Sequence, residues 1–150
     1  MAKRHSSWKR LHYVRQWFDS HPFVRWFELS LMHIDERSSV VEMPICVKHC
    51  TGNGIVTGGI HAVLGNAAGV SLAMMHSENF TPLAEIKNLK FCRPVRLDKD
   101  NKLLAEAQFL GLGIDQDRIL IKVLIKNFAG ELKAEGVFEY ALLDRPYNPQ

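Results

Sequence analysis

The sequence is poor in cysteine, and no two cysteines have the C-x-x-C spacing of a zinc or redox site. Cys46, Cys50 and Cys92 are the only three in a chain of 150 residues. The seven histidines form no H-E-x-x-H motif, and the sequence has neither a G-x-S-x-G elbow nor a phosphate-binding Gly-Lys-Ser loop. We therefore expect no disulfide framework, no metal site and no cofactor, and a reduced, cytoplasmic compartment.

Long apolar runs and a strong charge of one sign are also missing. No uninterrupted apolar run approaches the roughly 20 residues that span a bilayer, and none follows the basic N-terminus "MAKRHSSWKRLHYVRQWF" as in a signal peptide. The net charge of +3 is far below the basic excess needed to neutralise many phosphates. We expect a soluble protein that binds no nucleic acid and is compatible with a small anionic ligand.

The first 25 residues predict a helical extension that precedes a single domain at residues 26–150. Apolar side chains recur there at intervals of three and four residues after a serine that can cap the helix, and Pro22 suits the first turn of a second helix. The helix positions are Ser6 or Ser7 as the cap, then Trp8, Leu11, Val14 or Arg15, and Trp17 or Phe18. This face is expected to pack on the domain or on a partner subunit; a lid over a ligand and a membrane-surface contact are the alternatives.

Alternating apolar residues predict a set of antiparallel strands in the rest of the chain. "FELSLMHID" and "SSVVEMPI" flank a polar turn as in a hairpin, and "TPLAEIKNLKFCRPV" predicts a strand that Pro94 ends. Three further extended runs, joined by short turns, each place apolar residues on one face. The last run sets Leu132, Ala134, Phe138, Tyr140 and Leu142 against Glu131, Lys133, Glu135 and Glu139.

One apolar helix lies between the hairpin and the later strands. It falls within "GIVTGGIHAVLGNAAGVSLAMM", where His61 and Asn66 are the only plainly polar side chains. A single helix that is apolar on all sides must be covered by a sheet that curls around it, or by another subunit. The sequence therefore predicts an α+β protein in which a curved antiparallel sheet wraps one long central helix.

This order of elements and the sequence motifs that they carry resemble the hotdog fold. Within that fold they resemble the thioesterases of the phenylacetate-degradation and hydroxybenzoyl-CoA type. The resemblance runs from Leu29 to Leu143. In that family a G-x-x-H-G-G loop leads into the central helix, and an acidic residue follows nine positions after the His. Here the loop begins at Gly54, the glycine pair is Gly58-Gly59, and "FCRPVR" matches the end of a later family strand.

The sequence departs from the family pattern at residues that carry chemistry. Thr57 stands where the family usually has His, and Asn66 stands nine positions on, where it usually has Asp or Glu. The family also has an Asn near the start of the loop. Thr51 stands at the corresponding position here, and Asn53 lies two positions further on. An amide can hold a water or a carbonyl by hydrogen bonding, but it cannot replace a carboxylate as nucleophile or base.

The resemblance implies an acyl-CoA thioesterase acting on a fatty or aryl thioester of CoA or of a carrier. Gly58 N–H would polarise the thioester carbonyl, Asn66 would orient the attacking water, and His61 would serve as a base if it met the site of another subunit. His61 and Asn66 lie about 140° apart around the helix and do not share a face. The expected substrate-binding residues are Thr57, Gly59, Asn88, Lys90, Arg93 and Arg96.

Alternatives stay open for the function and for each residue. Because the carboxylate is missing, the chain could be a hotdog protein that binds an acyl or acyl-CoA ligand without hydrolysing it; a dehydratase or hydratase of the same fold is a third hypothesis. The glycine pair also suits tight helix packing, and His61 and Asn66 could simply satisfy neighbouring backbone groups. A homodimer, or a dimer of dimers, is expected because the family joins two such sheets edge to edge.

Overall fold

One long helix lies against a six-stranded antiparallel sheet in the computed structural model, which describes residues 7–143. The helices are α1 (Ser7–Ser20), α2 (Pro22–Trp26) and α3 (Gly58–Met74), and the strands are β1 (Ser30–Ile34), β2 (Ser38–Pro44), β3 (Leu83–Phe91), β4 (Lys102–Leu112), β5 (Arg118–Asn127) and β6 (Leu132–Ala141). The sheet order is β1-β2-β4-β5-β6-β3. A 3₁₀ turn at Val47–His49 lies between β2 and the long helix, α3.

Small residues let α3 approach the sheet closely. A Cβ placed on Gly65 would lie 2.8 Å from the ring of Phe138, and one placed on Gly69 would lie 2.2 Å from the hydroxyl of Tyr140. Both aromatic side chains come from β6 and are fully buried. The central helix and the sheet around it are thus as the sequence predicts, and two glycines set their separation at β6.

The strand face of β5 follows the predicted alternation, and that of β6 requires a correction. On β5, Ile119, Ile121 and Ile125 are completely buried, because each points towards α3. On β6, however, the predicted polar face is not solvated, since Lys133 and Glu139 are both buried. Neighbouring segments cover that face and supply the opposite charges, so the alternation correctly separates the two faces but does not tell which of them meets water.

The N-terminal extension packs on the domain through a narrower face than predicted. Val14 and Phe18 are fully buried in the common core, while Trp8 is 65% exposed and lies outside that core. Pro22 occupies the first turn of α2, as predicted, and Ser6 lies outside the described residues. No helix within residues 7–143 is both long and apolar enough to cross a membrane. The division between residues 25 and 26 stays a prediction.

A side chain of α1 closes the far end of the central helix. Arg10 Nε donates to the carbonyl oxygen of Met74, the last residue of α3, at 2.5 Å, and Arg10 Nη1 lies 3.4 Å from the carbonyl of Glu78. A cation at this position satisfies a carbonyl that the helix leaves without an intrahelical donor and complements the negative end of the helix dipole. Arg10 therefore attaches the extension to α3.

A buried ion pair holds the loop that follows β3. Lys133 Nζ lies 3.4 Å from Asp100 Oδ2 and donates to the carbonyl of Pro94 at 3.2 Å. Asp100 also accepts hydrogen bonds from Arg96 N–H at 3.0 Å and from the Asn127 amide at 3.0 Å. Burial alone would raise the pKa of Asp100, but these hydrogen bonds and the lysine charge outweigh it and lower the pKa.

Asp100→Asn tests this ion pair through the pH dependence of stability. A carboxyl whose pKa is lower in the folded state stabilises the fold above its unfolded pKa of about 4, and loses that contribution as the pH falls further. We expect the variant to lose about 2 kcal/mol at pH 7 and to show a shallower fall in Tm between about pH 5 and pH 3. The matched control is Asp115→Asn, an exposed carboxylate in the β4–β5 turn, which should leave the Tm at pH 7 unchanged. An Asp100→Asn variant whose Tm equals that of the wild type at neutral pH and throughout the acidic range contradicts the prediction.

Candidate functional site

Two cavities adjoin α3, and they separate the residues that the sequence places in one site. The first, about 420 Å³, lies at the start of the helix and is bordered by Gly58, His61 and Arg93. The second, about 330 Å³, lies further along the helix and is bordered by Asn66. Gly58 and Asn66 are eight residues apart, which is about 12 Å along a helix axis. Within one protomer they therefore do not meet the same ligand atom.

The start of α3 presents free backbone donors. Gly58 and Gly59 are the first two residues of the helix, so their N–H groups have no intrahelical acceptor. Thr57 precedes them as N-cap, but its side chain makes no capping hydrogen bond. The ring of Phe91 lies over Gly58, where an added Cβ would be 3.1 Å from it. The helix start can thus donate to a carbonyl oxygen or an anion, aided by the positive end of the dipole.

His61 is a buried, neutral side chain on this first cavity. Its Nδ1 lies 3.2 Å from the carbonyl oxygen of Thr57, which can only accept, so Nδ1 carries the proton. Nε2 is buried and has no hydrogen-bond partner in the described part of the chain. Burial lowers the pKa of His61, and the backbone of Thr57 and Gly58 only partly offsets this. His61 contacts the edge of Phe91, with ring centroids 5.2 Å apart, and does not border the Asn66 cavity.

Aromatic rings from the N-terminal extension form one wall of the Asn66 cavity. His21 lies between two of them, with ring centroids 5.1 Å from Trp17 and 4.6 Å from Phe23. Its Nδ1 is buried without a hydrogen-bond partner among the described residues. The opposite wall is the stripe of α3 that the sheet leaves uncovered. The complete lining is Trp17, His21, Phe23, Phe27, Val63, Asn66, Val70, Phe80 and Leu83.

The side chain of Asn66 forms a hydrogen bond with a strand residue. The hydroxyl of Tyr140, on β6, lies 3.1 Å from Asn66 Oδ1 and 3.4 Å from the Asn66 carbonyl oxygen. Tyr140 is completely buried, and burial raises its pKa well above the usual value. The phenol therefore keeps its proton at neutral pH and remains a hydrogen-bond donor. Asn66 itself is partly exposed to the cavity.

The predicted strand-end cations have different surroundings. Arg93 borders the Gly58 cavity and pairs with Glu131 at 2.7 Å. Arg96 borders a separate cavity and is occupied by Asp98, with Nε 3.1 Å from its carboxylate. Lys90 is exposed on β3 and borders none of these cavities. Of the three cations, Arg93 is thus the one placed to meet an anionic group beside the helix start.

Asn88, one of the expected substrate-binding residues, alternates in the sequence with Ala84 and Ile86 but does not share their strand face in the structure. Its φ of 53° lies in the left-handed region, and the β3–β6 register shifts between Lys87 and Lys90. This bulge interrupts the alternation with Ala84 and Ile86, so Asn88 is exposed at the sheet edge. Asn tolerates such a φ better than most residues, which accounts for its presence at the bulge.

Two important neighbours of Asn66 are not among the sequence-predicted site residues. His21 belongs to the extension, where the aromatic spacing of residues 17–27 is the only signal for a cavity wall. Tyr140 lies 74 residues from Asn66, and its alternation in β6 indicates burial but gives no hint of its hydrogen bond. No group of three metal-ligating side chains occurs within residues 7–143.

The fold is shared with solved structures. PaaI of Escherichia coli, from the phenylacetic acid degradation operon, superposes with a TM-score of 0.79 over 96% of this chain and 98% of that one, at 16% identity. A PaaI mutant of Thermus thermophilus has a TM-score of 0.71 over 82% of this chain and 100% of its own, at 18% identity. A thioesterase of Haemophilus influenzae gives 0.70 over 81% and 82%, at 19% identity.

The sequence itself is less similar to known proteins than the fold. No protein-family model matches it, and no curated protein does so significantly. At identities of 16–19% the structural likeness establishes the architecture of the chain. The chain therefore has the hotdog fold, in common with solved proteins that include PaaI and a thioesterase.

Proposed function

We propose that this protein hydrolyses an acyl thioester, of CoA or of a carrier, whose acyl group occupies the Asn66 cavity. The observation that carries the proposal is the position of Asn66, the one amide that the described residues place on a cavity of about 330 Å³ otherwise lined by apolar and aromatic side chains and His21. Such a surface suits a hydrocarbon or aryl group with one polar atom at a fixed depth. The thioester carbonyl is that polar atom.

Hydrolysis requires a donor to the carbonyl oxygen, an attacking water and a group that takes the proton. Water adds to the carbonyl carbon, negative charge develops on the oxygen, and the carbon–sulfur bond then breaks to release a thiol and a carboxylic acid. The N–H groups of Gly58 and Gly59 are suited to stabilise the oxyanion by hydrogen bonding. The Asn66 side chain offers a further hydrogen bond at the polar end of the acyl group. His21 borders the same cavity and is the imidazole best situated to take a proton there.

The helix start and Asn66 meet in a dimer rather than in one protomer. Two copies of α3 that run antiparallel would place Gly58 of one copy near Asn66 of the other if the two-fold axis passes near residue 62, midway between the two residues. β3 supports this arrangement, since it is an edge strand with exposed apolar residues: Leu83 is 36% and Phe91 53% exposed. We therefore propose a homodimer with two composite sites.

Phe91→Glu tests the dimer. Light scattering of the wild type at micromolar concentration should give the mass of two chains. The substituted charge at the β3 edge should raise the dimer dissociation constant by about tenfold or more, because an apolar contact is replaced by a buried charge. Leu112→Glu, an equally drastic change at an exposed position of β4, should leave the dimer intact. A monomeric wild type contradicts the composite site.

A second candidate function is acyl binding without hydrolysis. No carboxylate borders the Asn66 cavity in the described residues, although a carboxylate stands at this helix position in the resembled thioesterases. Within one protomer His61 cannot compensate, since it is buried on the other cavity. A sensor or accessory subunit would need only the apolar walls and a donor to the carbonyl.

Thiol release from a panel of acyl-CoAs separates the two functions. Purified protein is incubated with straight-chain acyl-CoAs of graded length and with aryl acyl-CoAs, and free thiol is measured. We expect release that depends on the acyl group, with saturation kinetics. Equilibrium binding of the same compounds without thiol release would replace the enzyme by the binding protein, and an absence of both would refute an acyl-thioester ligand.

A further inference from the structure

The two ends of the Asn66 amide differ in what they bind. Oδ1 accepts hydrogen bonds, whereas Nδ2 donates two. The end that faces the cavity therefore determines whether Asn66 recognises a carbonyl oxygen or holds the hydrogen of a water molecule. Both of these roles fit an acyl-thioester site, so the orientation of the amide determines its chemistry.

Tyr140 determines this orientation. Its hydroxyl lies 3.1 Å from Oδ1, a good distance for a hydrogen bond, whereas the backbone carbonyl of Asn66 is 3.4 Å away and belongs to the helix. The phenol is completely buried, and these are its hydrogen bonds within residues 7–143. A buried hydroxyl donates where an acceptor is available. Oδ1 is thus occupied by Tyr140.

The position of the hydroxyl is built into the helix. A Cβ on Gly69 would lie 2.2 Å from Tyr140 Oη, so only glycine admits the phenol at this place. Leu83 on β3 and Ile119 on β5 pair with Tyr140 across the sheet and flank the residue on both sides. The hydroxyl therefore has one position relative to Asn66, and it cannot move away without rearrangement of the core.

We infer that Tyr140 is a positioning residue that turns the Asn66 amide so that Nδ2 donates to the ligand's carbonyl oxygen. The inference rests on the proposed function only in that the ligand carries an acyl carbonyl. Asn66 is then an electrophilic group that binds the oxygen, and it strengthens its hydrogen bond as negative charge develops there. No proton moves to or from the amide. This role differs from the water-orienting one that the family resemblance implies.

Two hydrolysis-proof CoA analogues test the inference. One is a ketone in which CH₂ replaces the thioester sulfur, and the other is a thioether that lacks the carbonyl oxygen. The wild type should bind the ketone at least about tenfold more tightly, because Asn66 Nδ2 adds a hydrogen bond to those from the helix start. Tyr140→Phe removes only the hydroxyl and should reduce this preference by about fivefold, while the affinity for the thioether stays within about twofold of the wild type. In the wild type, the carbonyl stretch of the bound ¹³C-labelled ketone should shift to lower frequency, and the shift should be smaller in Tyr140→Phe.

Asn66→Asp distinguishes a donor from an acceptor. A carboxylate accepts from Tyr140 but has no N–H for the ligand, so this variant should reduce the preference for the ketone at least as much as Tyr140→Phe does. If Tyr140→Phe weakens both analogues equally, or if Asn66→Asp keeps the preference, the positioning role is refuted while the acyl site stands. If the wild type binds neither analogue, the proposed function fails and the inference fails with it.

Discussion

Asn66→Ala should lower kcat for the best acyl-CoA substrate by about 10²-fold, the effect of removing one donor to an oxyanion. The KM should stay within a few-fold, because the aromatic walls of the cavity are unchanged. Thiol release under saturating and limiting substrate measures both quantities. The variant also frees the Tyr140 hydroxyl, so its melting curve is recorded to exclude a loss of folded protein.

Asn66→Asp restores the side chain of the resembled thioesterases and gives opposite results for the two functions. In an enzyme that works through the amide, the carboxylate removes a donor and places a charge beside Val63 and Val70, so turnover and stability both fall. In a protein that only binds, the same change could create hydrolysis where the wild type has none. If the turnover of Asn66→Ala stays within about threefold of that of the wild type, Asn66 has no part in the mechanism.

Gly69→Ala should destabilise the protein by about 3 kcal/mol, at the upper end of the cost of overpacking a core. The added Cβ would lie 2.2 Å from Tyr140 Oη and about 3 Å from two carbons of its ring. Tyr140 is completely buried, so it cannot relax into solvent. Chemical denaturation gives the change in the free energy of unfolding, and it should exceed the gain in helix propensity that alanine brings.

Gly59→Ala is the matched control on the same helix. An added Cβ there meets only Thr57 Oγ1, at 3.8 Å, which is an ordinary contact. This variant should be as stable as the wild type or slightly more stable, since alanine is the better helix former. Equal stability of the two variants would mean that the separation of α3 and β6 tolerates another methyl group, contrary to the geometry of Tyr140.

Much of the fold follows from local patterns in the sequence. The alternation in β5 and the small residues of α3 predict a sheet around a helix because both are repeated over ten or more residues, where packing and propensity agree. Lys133 departs from the pattern because Asp100 and the carbonyl of Pro94, both distant in sequence, pair with it in the interior, and Glu131 adds a second charge. Trp8 departs from it because it stays largely exposed outside the core.

The candidate site is less predictable than the fold, since its parts are brought together by tertiary structure. The angle of about 140° around the helix correctly predicts that His61 and Asn66 do not share a face, and the two residues border different cavities. This prediction succeeds because helix geometry is local. The pairing of Asn66 with Tyr140 joins a helix to a strand 74 residues away, and no single-sequence pattern encodes it. The contribution of His21 is equally remote, because it depends on how the extension folds back.

Apart from Phe80, the aromatic wall of the Asn66 cavity comes from one short segment, residues 17–27, while the polar group opposite it comes from the central helix. In the proposed enzyme, recognition of the acyl group and support of its carbonyl are therefore encoded in separate parts of the sequence. Substitutions confined to that segment can change the size and shape of the accepted acyl group without altering β5, β6 or the Tyr140–Asn66 contact. A library limited to its cavity-facing positions is a direct route to new acyl selectivity on an unchanged scaffold.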